Sequence, residues 1–113
     1  MNIIKNMAAQ GDVLFRRIDK LPAGVRDVTP KGAIVVAHSE TGHHHVASGK
    51  LTRLLAGDDP MVCYLQASDA ILIEHLRPWD THAAISLECG DGVVWEVRRQ
   101  REATPEGWQR VED

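Results

Sequence analysis

The sequence predicts an all-β domain, a small antiparallel barrel or sandwich of about six to eight strands. Three observations carry that reading. Glycine, proline and aspartate interrupt the chain about every 10 to 20 residues, the segments between them are short and rich in Val and Ile, and no long stretch repeats with helical spacing. At 113 residues and 12.5 kDa the chain supports one core, so residues 1–113 form a single β domain.

The first strand spans Asp12 to Ile18 after Gly11, where Val13 and Phe15 alternate against Leu14 and Ile18, so both faces are expected to be at least partly covered. Leu21-Pro22-Ala23-Gly24 then turns the chain. Ala33 to Ala37 is a buried strand that runs into a histidine-rich segment. Lys50 to Ala56 fits a short helical turn or a strand, because seven residues are too few for periodicity to decide. Met61 to Gln66 and Ala70 to Leu76 read as strands whose spacer, Ala67-Ser68-Asp69, is short enough for a hairpin. Ala83 to Cys89 and Val93 to Glu102 flank Gly90-Asp91-Gly92 and read as a second hairpin, with Val93, Trp95 and Val97 on the core face and Glu96, Arg98, Gln100 and Glu102 on the wet one. Thr104-Pro105-Glu106 offers a cap hydroxyl, a proline for the first helical position and an acid, so a C-terminal helical turn is expected there, with Trp108 folded back on the body.

Charge and composition remove several function classes. The net charge is −3, divided into +2 over residues 1–60 and −5 over residues 61–113, and no block of like charge suits a nucleic-acid arm. No apolar run approaches the roughly 20 residues of a membrane helix, and residues 1–7 hold no signal-peptide stretch, so the chain reads as cytoplasmic and free of the membrane. Cys63 and Cys89, with no second thiol near either, fit neither a disulfide framework nor a zinc knuckle and read as small buried hydrophobes. P-loop, Rossmann and Gly-x-Ser-x-Gly signatures are absent, and the sequence does not decide whether the protein is an enzyme. Short strands with few wet faces leave edges to pair, so a homodimer is expected.

The segment with chemical content is Thr41-Gly42-His43-His44-His45. On a strand, residues i and i+2 share a face, so His43 and His45 stand side by side and His44 faces away. His-x-His is chelate spacing for a divalent ion such as zinc, iron or nickel, and a site needs one or two donors more. His82, between two strands, is the third expected ligand, with Asp80, Glu40 and His38 behind it, whereas His75, alternating within an apolar strand, reads as a core residue. The competing reading is a polar, exposed turn with no site.

Gly42-His43-His44-His45 resembles the first motif of the cupins, which implies a small β-barrel with a histidine-held metal. Val46 to Lys50 lacks the glutamate of that motif, and His82 lacks its preceding proline and glycine. More of the chain resembles a family of small uncharacterised bacterial and phage proteins. The matching motifs are Gln10-Gly11-Asp12-Val13, Thr41-Gly42-His43-His44-His45, Arg99-Gln100-Arg101-Glu102 and Thr104-Pro105-Glu106-Gly107-Trp108. That resemblance implies one domain in a bacterial or phage setting and leaves the function open.

Arg98, Arg99 and Arg101 suggest a phosphate-binding face beside Trp95, but Glu96 and Glu102 interleave them, so ion pairing at a sheet edge is the stronger expectation and nucleic acid an unlikely partner. Three function classes follow, in order: a histidine-lined metal or ligand site, a non-catalytic phage or bacterial interaction module, and a weak nucleic-acid binder through Arg98 to Arg101.

Overall fold

The computed structural model describes residues 2–38, 44–76, 84–99, 101–104 and 107–110. Among them are thirteen strands and no helix. In chain order these are β1 (Asn2–Ile4), β2 (Met7–Gln10), β3 (Val13–Ile18), β4 (Arg26–Asp27), β5 (Ile34–His38), β6 (His44–Ser48), β7 (Arg53–Ala56), β8 (Val62–Gln66), β9 (Ala70–Leu76), β10 (Ile85–Glu88), β11 (Val94–Arg99), β12 (Arg101–Thr104) and β13 (Gly107–Arg110). The expected six to eight strands are all present, and the surplus consists of two- to four-residue strands with little periodicity to read.

Two sheets form a sandwich. One has the order β1-β10-β9-β6-β5 and the other β2-β3-β11-β8-β7-β4, and both are open at their ends, so there is no closed barrel. Pairing is antiparallel except for β1, which lies parallel to β10. Between the sheets pack Val13, Phe15, Val36, Leu65, Ile71, Ile73, Leu87, Trp95 and Val97, all buried. Segment 50–56, open between helix and strand, resolves as β7 preceded by a tight turn. In that turn Thr52 Oγ1 donates to Gly49 O at 2.8 Å, and Leu51 adopts a positive φ of 56°.

Both expected hairpins are corrected. β8 and β9 lie in different sheets, as do β10 and β11, so the connectors at 67–69 and 89–93 carry the chain across the sandwich. Three residues reach at most about 10 Å, which is the distance between packed sheets. A short spacer therefore serves a corner as well as a hairpin. Cys89 N ties the two corners together by donating to Asp69 O at 2.7 Å, and Trp95 Nε1 donates across the second corner to Glu88 O at 2.9 Å.

The expected C-terminal helical turn is not shown: Thr104 and Gly107 are register partners in an antiparallel pairing of β12 with β13, and Pro105 and Glu106 lie outside the described residues. Trp108 lies opposite Ala103 on β13, and the packing expected of its side chain lies outside the described residues.

Candidate functional site

Four of the five buried polar residues among those described gather at one end of the sandwich: Gln10, Asp12, His45 and His75. β6 is an inner strand of its sheet, and its alternation turns His45 and Ala47 into the core while His44 lies half-buried on the other face. β9 does the same with Ile71, Ile73 and His75. Because His45 and His75 are register partners on adjacent strands, their rings stack with centroids 4.0 Å apart and planes 14° from parallel.

The opposing sheet supplies the other two groups. Gln10 ends β2 and pairs with Val13, so Gly11 and Asp12 form a two-residue loop. Gly11 has φ 60°, at the first loop position where a tight hairpin turn calls for glycine. This turn inserts both flanking side chains between the sheets. Gln10 Nε2 donates to Ile73 O at 3.2 Å, which fixes the carboxamide and aims Oε1 at His45 Nδ1, 2.9 Å away. A carboxamide oxygen only accepts, so His45 Nδ1 carries the proton and donates it. The same ring presents Nε2 towards Asp12 Oδ1 at 3.7 Å, with both side chains almost wholly out of water. A carboxylate buried to that degree is stable as an anion only beside compensating positive charge or hydrogen-bond donors.

Of the three expected ligands, His45 is therefore in the buried cluster, while His43 and His82 lie outside the described residues. The turn of His44 away from His45 is as expected. His38, His44 and Leu76 occupy one row at the end of the sheet, and the chain leaves that row into residues 39–43 and 77–83. Glu40 and Asp80 fall in those same segments. Among the described residues no group of three His, Cys, Asp or Glu is arranged to hold a metal ion.

The sequence reading missed Gln10 and Asp12 and set His75 aside. The signals were present: Gln-Gly-Asp brackets a tight turn with two polar groups, and His75 shares the face of Ile71 and Ile73. The arginine strand needs one correction as well. β11 is not an edge but lies between β3 and β8, and on its outer face Glu96 pairs across to Arg16 at 3.2 Å and along the strand to Arg98 at 3.5 Å.

Comparison with known proteins adds a family. A model described as a domain of unknown function, DUF8820, matches residues 9–100. The chain belongs to the DUF8820 family. The matched span contains Gln10, Asp12, His45 and His75, and excludes β1 and the β12–β13 hairpin. The description of that family does not mention cupins, so the cupin resemblance gains no support from it. No curated protein and no solved structure is a significant match. Among the described residues, no helix is long and apolar enough to cross a membrane.

Proposed function

We propose that this DUF8820 domain is a metal-binding module whose anchor is His45, with Asp12 beside it and with His43 and His82 as further donors. One observation carries the reading: His45 Nε2 and Asp12 Oδ1 lie 3.7 Å apart while Nδ1 of the same ring is held by Gln10. That separation is long for a hydrogen bond. It is close to the roughly 3.4 Å between two donors that each sit about 2.1 Å from one tetrahedral ion. Metal-bound histidines commonly donate their remote N–H to a carbonyl, which fixes the tautomer and aims the ring, and Gln10 fills that role. His75, stacked flat on His45, limits the ring's rotation. Imidazole and carboxylate donors suit zinc, iron or nickel.

Protein produced without a histidine tag or nickel resin is expected to retain about one divalent ion per chain, as structural sites do. His45→Gln should lose it, and Gln10→Ala should weaken binding by about 10- to 100-fold. His44→Gln, on the opposite face, should leave it intact. Untagged protein free of metal that also fails to bind added zinc would defeat the reading, as would equal losses in the His44 and His45 variants.

A further inference from the structure

We propose that the same end of the sandwich carries a separate oxyanion site, built on Arg99 and suited to a small carboxylate or phosphate ligand. The alternation that buries Trp95 and Val97 puts Arg99 on the inner face of β11, in one row with Val13 of β3 and Gln10 of β2. Gln10 reaches His45 and Ile73 in the facing sheet, and Cys63 on β8 reaches Val36 O at 3.8 Å. β11 lies between those two strands, so its inner face stands across from the β5–β6 pair. Arg99 itself is half-buried, and its Nε is shut off from water with no hydrogen-bond partner.

That state is costly for an isolated chain. A desolvated guanidinium N–H without an acceptor loses its hydration and gains nothing in return. Among the described residues, Glu96 faces outward to Arg16 and Arg98, and Asp12 is turned to His45. Among the described residues no ion pair includes Arg99. A buried guanidinium Nε–H without an acceptor, in the same inner row as Gln10, is complementary to an oxygen of a carboxylate or phosphate. This goes beyond the metal reading and does not depend on it, since Arg99 is not a metal donor.

The test is thermal unfolding of the full chain, as purified, titrated separately with inorganic phosphate and with malonate, using sodium chloride of matched ionic strength as the reference. Wild type is expected to gain melting temperature with one of the two anions, and which one responds separates a phosphate ligand from a carboxylate ligand. Arg99→Met should bind that anion about 10- to 100-fold more weakly. In anion-free buffer the same variant should melt no lower than wild type, because it removes a buried N–H that has no partner. His45→Gln should keep the anion response while losing metal, which keeps the two proposals separable. The oxyanion site is wrong if wild type responds to neither anion, if Arg99→Met responds as wild type does, or if Arg99→Met is strongly destabilised without anion.

Discussion

Asp27 accepts hydrogen bonds from the Thr29 hydroxyl at 2.6 Å, the Thr29 amide at 2.9 Å and Arg53 Nε at 3.0 Å. Those donors, led by the Thr29 hydroxyl, hold its carboxyl down to about 2 from an ordinary 3.8. A depressed carboxyl stabilises the fold only while it is ionised. Its contribution is therefore complete above about pH 4 and lost as pH falls towards 2. Asp27→Asn should melt below wild type at pH 7, and the gap should close over that acid window in thermal scans at stepped pH. The cysteines show the opposite effect. Burial pushes the Cys63 thiol up to about 12 and the Cys89 thiol up to about 11, so both stay protonated at neutral pH and act as the small hydrophobes expected of them. At this scale the sequence was readable where one residue type had one role, as with Trp95 in the core. The burial of His75 was readable in the same way, but its grouping with Gln10 and Asp12 was not, because that arises from a turn in one sheet meeting a strand pair in the other.

β11 shows how two faces of one strand divide the stabilising interactions. Trp95 is fully buried and fastens a corner through its indole N–H, whereas Arg98 is exposed and shares Glu96 with Arg16. Trp95→Ala should cost about 3–5 kcal/mol in denaturant unfolding, and Arg98→Ala less than about 1 kcal/mol, the usual worth of an exposed ion pair. Equal losses would mean that the outer face is not solvent-facing. Strand positions in the chain were legible from alternation, but strand partners were not. Leu65, Ala67, Ile71 and Ile73 face the core whether β8 and β9 form a hairpin or a corner, so the pattern is blind to the choice. What excludes the hairpin is non-local: β8 is engaged by β7 and β11, and β9 by β6 and β10. The same blindness hid the small strands. Arg26–Asp27 gains its strand geometry from pairing with Leu55 and Ala56 and from the Asp27–Arg53 contact, none of it local in sequence.

For the whole molecule, the all-β expectation holds, and the order of assembly follows from where β11 sits. β11 is hydrogen-bonded on both sides, to β3 and to β8, and Arg16 and Glu96 meet although they are 80 positions apart in the chain. Closing such long loops precedes any reward from contact, so refolding from denaturant, followed by tryptophan fluorescence, should take milliseconds to seconds. A single fast phase in microseconds would contradict this. During synthesis the same arrangement has a sharper effect. Until about residue 99 has left the ribosome, β3 and β8 both present open backbone edges and the apolar faces of Phe15 and Leu65 are uncovered. The nascent chain is thus prone to edge-to-edge aggregation until β11 inserts. A chaperone that shields β3 and β8 up to that moment would raise the yield of folded protein.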